Sequence, residues 1–376
     1  MPCRRGLRIK VAGIAGSAAL ALTAGCTTAS AGADHPPPST QSGPATSPSD
    51  VPTTTAAPSP HPAEPGPVTI AFAGDVHFAS FLADRLAHPR TALGPMRRIL
   101  SSADLSIVNL ETAVTERGAP QPKDYVFRAP PSAFTALKDA GVDVVTMANN
   151  HALDYGEGSV PDARAAAASA GMPVIGLGED EQQAYRPWFV TVHGQRIAFL
   201  AATAVLDADL VSSWSAGPAH PGVATALDGD NARLIAAVRA AGQRADAVVV
   251  DLHYGSDLQT CPTDIQRALV EDLADAGADV VVGQHAHVLL GAGYEGSTYV
   301  DYGLGNFEFY VSAGAQGDTG VLLLTIDGGT ATSPRWTPAR ISSGVPYRAR
   351  GAAAEEALEH WQSLRDCTAL QAAPER

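Results

Sequence analysis

Short polar clusters punctuate the apolar runs of this 376-residue chain. Asp75 and His77 stand in GDVH, Glu111 in NLET, Asn149, Asn150 and His151 in ANNHALDYG, His253 in LHYG, and His285 and His287 in GQHAH. Five of the 11 histidines fall in these motifs, so imidazole is concentrated where the carboxylates are. Imidazole and carboxylate are ligands of borderline divalent cations. A bridging carboxylate among several histidines suits two ions about 3.5–4 Å apart. Each cluster alone has a plainer reading. Asp75 could be a turn residue after Gly74, Glu111 a solvated acid at a strand end, and His253 a hydrogen-bonded core histidine. His285 and His287, two apart on a strand, would point to one face, which favours paired ligands over packing.

The apolar runs are the elements that must bring these clusters together. VTIAFAGDV, DLSIVNL, VDVVTM, DAVVVDLHY and DVVVGQHAHVLL read as strands, and TYVDYGLGNFEFY and GVLLLTIDGG add late ones. MPVIGLG reads as one short strand, and WFVTVHGQRIAFLAAT as a hairpin turning at His193-Gly194. Between them lie helices: PSAFTALKDAG with Ser132 as its cap and Gly141 as its stop, PDARAAAASAG, GDNARLIAAVRAAGQRA, and TDIQRALVEDLADAGA with Thr263 as N-cap. A last helix, RARGAAAEEALEHWQSLRDC, is expected on the surface. Strand–helix alternation argues an α/β domain, whose active sites gather outside the carboxyl ends of the strands. That is where the polar clusters stand.

Hydrophobic residues at 45% and charged residues at 17% support a substantial core, and a net charge of -14 repels nucleic acid. The N-terminus reads as a lipoprotein signal peptide over 1–25: a basic segment with Arg4, Arg5, Arg8 and Lys10, an apolar run VAGIAGSAALAL, then LTAGC. Cys26 is the expected lipidation site, and Arg4-Arg5 also resembles a twin-arginine signal. Residues 26–66 are a Pro/Ser/Thr-rich linker without core-forming side chains, able to span about 35 Å as a coil. The chain is therefore expected to be exported, and either anchored by lipid to the outer face of the cell membrane or secreted. Cys261 and Cys367 remain as an even pair in an oxidising compartment, a candidate disulfide.

GDVH, NLET, ANNHALDYG, HYGSD, VVGQHAHV and YGLGNFEF, in that order, resemble the CapA family of bacterial poly-γ-glutamate capsule synthesis, related to the calcineurin-like metallophosphoesterases. The resemblance covers about residues 67–310. It implies a four-layer α/β/β/α sandwich over 67–345, followed by a helical tail over 346–376, and a site for two divalent cations (manganese, zinc or iron). Asp75, His77 and His287 would hold one ion, Asn150, His253 and His285 the other, and Glu111 would bridge where phosphoesterases commonly place an Asp. His151 would face substrate as general acid or charge stabiliser, and Asp154 would orient it or cap the next segment. Arg128 and Asn306 would contact substrate or make structural hydrogen bonds. Gln284 stands where relatives often have a His, and Asp257 where they have a Glu. The implied function is that of a surface-tethered dinuclear metallohydrolase acting on a phosphoester or a γ-glutamyl or peptide amide in an envelope polymer. The alternative is a non-catalytic polymer-binding, export or anchoring component of a poly-γ-glutamate synthase complex. Expected partners are that extracellular polymer, the synthase and, through lipid, the membrane.

Overall fold

The structure, a computed structural model, describes residues 65–227 and 229–375. The signal segment, Cys26 and nearly all of the linker lie outside the described residues. The folded unit spans His61–Arg376 and is built on two sheets. The first has eight strands, in the order Val345–Arg348, Thr330–Ser342, Asp318–Asp327, Val68–Val76, Leu105–Leu110, Val144–Thr146, Val174–Ile175, with Asn306–Glu308 pairing beside the tip of Val68–Val76. The second has six: Ala292–Glu295, Thr298–Asp301, Val280–His285, Ala247–Tyr254, Gln195–Thr203, Trp188–Val192.

Side-chain alternation decides which face of each strand meets which layer. Ile70, Phe72, Ile107 and Val144 join Val249, Val280 and Val282 in the core between the sheets. Their neighbours Ala71, Ala73, Val108 and Val145 face outward onto Phe134 and Leu137 of helix Ser132–Asp139 and Ala163 of helix Ser159–Ala170. On the second sheet, Val248, Val250 and Val281 face Leu234 and Val238 of helix Ala232–Gly242 and Leu269 and Val270 of helix Asp264–Asp275. The result is the expected α/β/β/α sandwich. Both faces of the central strands are buried, which explains their unbroken Val/Ile/Ala runs.

Local signals held where a specific hydrogen bond backs them. Thr263 and Gln266 form a reciprocal capping box, at 3.2 and 3.0 Å. The hairpin turns at His193 (φ 47°) and Gly194 (φ 82°). Three expectations need correction. Ser132 caps nothing: it is the first helical residue, because Pro131 (φ -50°) already presets the turn. MPVIGLG is two strands, since Gly176 (φ 79°) redirects the chain, and Leu177–Gly178 pairs with Gly222–Val223 instead. A Cβ at Gly176 would lie 2.4 Å from that of Ala148, so only glycine fits there. A boundary at 345 would cut strand Val345–Arg348, and the helix beyond it, Ala352–Ser363, is no detached tail. Its Trp361 stacks on Trp336 (5.4 Å, 5°) and joins the core between the sheets. Cys261 and Cys367 form a disulfide across a separation of 106 residues, tying the loop after Ala247–Tyr254 to the C-terminal segment.

Candidate metal centre

Strand register brings the polar clusters into one place. Asp75 is paired with Asn109 on one side and Asn306 on the other, and His253 with Gln284. Gly74 permits the approach: a Cβ there would stand 1.8 Å from the carbonyl oxygen of Gly305. Asp75 is fully buried. Its Oδ1 accepts from Asn109 Nδ2 (2.8 Å), and its Oδ2 from His285 N (3.2 Å), with His287 Nδ1 at 3.4 Å. Burial works to raise this carboxyl, but the hydrogen bond from His287 and the nearby imidazoles outweigh it and hold Asp75 below the usual range.

Glu111, one residue beyond Leu105–Leu110, is the centre of the cluster. It is fully buried, and neither carboxylate oxygen has a hydrogen-bond partner. Oε1 lies 3.4 Å from His253 Nε2 and 3.9 Å from His151 Nε2. Burial, then the charge of Asp75, pushes the Glu111 carboxyl up to about 8. Ligand atoms of Glu111, His285 and His287 all lie within 4.8 Å of one another. Burial depresses His253 and His285 to about 3, leaving neutral rings with lone pairs. His287 differs: burial lowers it, but Glu111 and Asp75 together raise it to about 9. His285 Nδ1 is buried and unpartnered.

His285 and His287 do not share a strand face as expected. The strand ends at His285, and both residues take left-handed backbone (φ 91° and 56°). A sharp turn, not β alternation, aims the two rings into the cluster, and such strain at non-glycine residues is common at functional sites. His253 Nε2 meets Asn150 Oδ1 at 2.8 Å, which places that amide oxygen beside the same centre. His77 stands beside this cluster, close enough to feel the charges of His151, His287 and Asp75. Its ring is buried between aromatic side chains, stacked on Phe127 (4.6 Å) and edge-on to Phe309 (4.4 Å), with Nδ1 accepting from Ala79 N and Nε2 facing Tyr310 N.

The ANNH loop is fastened from inside. Asn149 Nδ2 donates to Asn109 Oδ1 (2.9 Å) and Leu110 O (3.0 Å), and its Oδ1 accepts from His151 N (3.0 Å). His151 Nδ1 lies 2.6 Å from Asp154 Oδ2, which also accepts from Phe127 N at 2.6 Å. Burial lowers His151 to about 3 and raises Asp154 to about 7. Lys123 backs this pair, at 2.9 Å from Asp154 Oδ1, and also donates to the carbonyl of Asn150. Arg128 lies elsewhere, stacked on Tyr155 at 4.3 Å. Asn306 accepts from His287 Nδ1 (2.9 Å) and donates to His287 O and Gln316 O, a structural role. Lys123, Asn109 and Phe127 escaped sequence reading. Asn109 stands within NLET, whereas Lys123 and Phe127 belong to no motif noted in the sequence, and only the three-dimensional contacts show what the three do.

A cavity of about 580 Å³ opens onto this cluster, lined by Asn150, His151, His285 and His287 and walled by Phe127, Phe309 and Tyr310. A buried carboxylate with two unpartnered oxygens, facing the neutral imidazoles of His253 and His285 and an amide oxygen, is costly, and the His287 cation near it makes no hydrogen bond to either oxygen. The donor set is that of a borderline divalent cation, so the residues fit such an ion.

A family model described as bacterial capsule synthesis protein PGA_cap matches residues 69–310. The chain belongs to that family. Among PGA_cap relatives, the PGA biosynthesis protein CapA of Bacillus subtilis (strain 168) is 33% identical over 214 residues, 56% of this chain and 54% of that one. A probable polyglutamine synthesis accessory protein of Mycobacterium tuberculosis (strain H37Rv) is 34% identical over 194 residues, half of each chain. The capsule biosynthesis protein CapA of Bacillus anthracis is 31% identical over 188 residues, 50% of this chain and 45% of that one. The chain thus spans about half the length of the curated relatives it matches. Among solved structures, a hypothetical protein from Thermus thermophilus covers 73% of this chain and all of its own, with 18% identity and a TM-score of 0.47. A novel phosphatase from Mycoplasma pneumoniae covers 73% of this chain and 94% of its own, at 15% and 0.47.

Proposed function

We propose that this PGA_cap protein is a metal-dependent hydrolase of an envelope polymer, held by lipid at Cys26 to the outer face of the membrane and acting beside a polymer synthase. The observation that carries the reading is Glu111, buried with both oxygens free, opposite His151 at 3.9 Å. Glu111, His285 and His287, with Asp75, His253 and Asn150 around them, would hold two divalent cations. Bound there, such ions supply Lewis-acid polarisation of the scissile bond and water activation near neutral pH. His151 handles the proton of the leaving group. Its Nδ1 is committed to Asp154, so Nε2 is the nitrogen that turns to the Glu111 side of the site. Asp154 and Lys123 fix the ring, while Phe127 stacks on it at 4.2 Å and excludes water from one face. The bond cleaved is a phosphoester or an amide.

A second reading, a non-catalytic component of polymer synthesis or export, draws support from the name of the mycobacterial relative, an accessory protein. The two part at His151. In a hydrolase, His151→Gln keeps its metal and loses roughly 10²–10⁴-fold in turnover, while His285→Ala loses metal and turnover together. In an accessory component, His151→Gln leaves polymer production intact. Metal content by mass spectrometry, paired with turnover on phosphoesters, γ-glutamyl peptides and peptidoglycan fragments, decides between them. A wild-type protein that takes up neither added Mn²⁺ nor Zn²⁺ refutes the metal reading.

A further inference from the structure

The charge at the cavity mouth does not suit a polyanion. Apart from histidine, Lys123 is the lone cationic side chain among its lining residues. That ammonium is already engaged by Asn150 O and Asp154, and only 5% of the side chain is exposed. Asp124, Asp207 and Asp257 line the same mouth. Asp207 Oδ2 lies 3.6 Å from the Lys123 ammonium and Asp257 Oδ1 3.2 Å from His285 Nε2, yet the two side chains are 51% and 66% exposed, which leaves each a carboxylate oxygen for a ligand at the mouth. Two divalent cations on the floor would be offset by Asp75 and Glu111 among them and by these three aspartates outside. No net positive charge is then left to receive a chain with a carboxylate on every residue.

The same cavity also carries aromatic side chains. Tyr125 is 66% exposed at the rim, and Phe309 and Tyr310 stack at 5.4 Å and 17°. Carboxylates facing aromatic rings form a receptor for an ammonium group: the carboxylates accept its hydrogen bonds and a ring face attracts its charge. His285 and His287, whose ligand atoms lie within 4.8 Å of Glu111, line this same cavity, so an ammonium held there shares one cavity with the reacting bond.

We infer that this cavity selects a free primary ammonium near the scissile bond. The substrate is a peptide amide carrying an unblocked amine, such as the side chain of a diamino acid, and not an uninterrupted glutamate polymer. The inference rests on the hydrolase reading for its bond but not for its binding preference.

The test uses the full chain supplied with Mn²⁺ and three probes, each acetylated on the α-amine of its first residue: γ-glutamyl-lysine, the same peptide also acetylated on its side-chain amine, and a γ-glutamyl-glutamate oligomer. Calorimetry reads binding and chromatography reads cleavage. The lysine peptide with its side-chain amine free should bind about tenfold more tightly than the form acetylated there, a difference of about 1.4 kcal/mol, and the glutamate oligomer most weakly. Asp124→Asn combined with Asp207→Asn, checked for an unchanged melting temperature, should cut that preference to under about threefold. Equal affinity for the two lysine peptides, tighter binding of the glutamate oligomer, or no binding of the free-amine peptide overturns the inference. Cleavage of all three probes without amine preference overturns it while leaving the hydrolase standing. Amine-selective binding without cleavage supports it and removes the hydrolase reading for peptides instead.

Discussion

Glu111 offers the sharpest quantitative test of the metal centre. Its carboxyl is raised from 4.5 to about 8, with burial as the main cause and Asp75 the next. An acid with a raised folded-state pKa binds more protons folded than unfolded. Stability therefore falls as pH climbs from 4.5 to about 8. The lower part of that window is shared with buried histidines, whose ordinary value is 6.5 and whose folded values are about 3; they destabilise as pH falls below 6.5. Between pH 6.5 and 8 the unfolded histidines lose only their remaining half-proton each, a contribution that the wild type and a Glu111 variant share, so the difference between the two isolates Glu111. Over those 1.5 units its ionisation costs the metal-free protein roughly 2 kcal/mol. His287, raised to about 9, loses stability in the same direction, so removing Glu111 cannot steepen the slope. For a folded unit spanning 61–376, an unfolding entropy near 0.65 kcal/mol/K converts that cost to about 3 °C. The assay is thermal unfolding in EDTA at pH 6.5 and 8 for the wild type and Glu111→Gln. The wild type should lose about 3 °C more than the variant across that interval. Added Mn²⁺ should raise the wild-type midpoint at pH 8 more than the variant's. Matching slopes in EDTA would refute the claim that a buried, unpartnered carboxylate lies at the centre of this site.

Other outcomes follow from neighbouring features. Reducing the Cys261–Cys367 bond should lower the midpoint by up to about 7 °C, since closing a loop with a separation of 106 residues contributes at most about 4.7 kcal/mol; thiol titration of the unfolded, unreduced protein should find neither cysteine free. Asn306→Ala removes the acceptor that steers His287 Nδ1 and should weaken metal binding roughly 10–100-fold, read by competition with a chelating dye. Cys26→Ser should move the protein from the membrane fraction to the medium, and equal membrane retention of both forms would remove the anchor.

Much of the sandwich was legible because buried parallel strands and amphipathic helices write their periods into the sequence. Val248 to Val250 and Val280 to Val282 alternate between layers as period two demands. The clustering of Asp75, Glu111, Asn150 and His253 was legible for the same reason, since each stands at or just past the carboxyl end of a strand. What failed has no period. Left-handed turns at His285 and His287 are decided by contacts with Asp75, Asp257 and Asn306 that are distant in sequence. The seating of His77 depends on Phe127 and Phe309, contributed by two separate loops. Lys123 reads as one more surface lysine until the fold closes over it and brings Asp154 and Trp214 to its ammonium. Ser132 misled because a serine before a helical run is a strong capping signal, and the preceding prolines override it.

The place of Val68–Val76 in the first sheet also shapes how the chain reaches its fold. This is the first strand among the described residues, yet it lies at the interior of the sheet, with Leu105–Leu110 on one edge and Asp318–Asp327 on the other. Its pairing of Val68 with Ile326 is among the most distant contacts the chain makes. A chain delivered N-terminus first therefore carries an apolar strand with one bare edge until Asp318–Asp327 emerges. Contacts of such high sequence separation fold slowly and leave a strand open to pairing with foreign chains in the interval. Nascent copies of this protein should depend on a holding chaperone that covers Val68–Val76, and a C-terminal truncation before Asp318 should aggregate rather than fold.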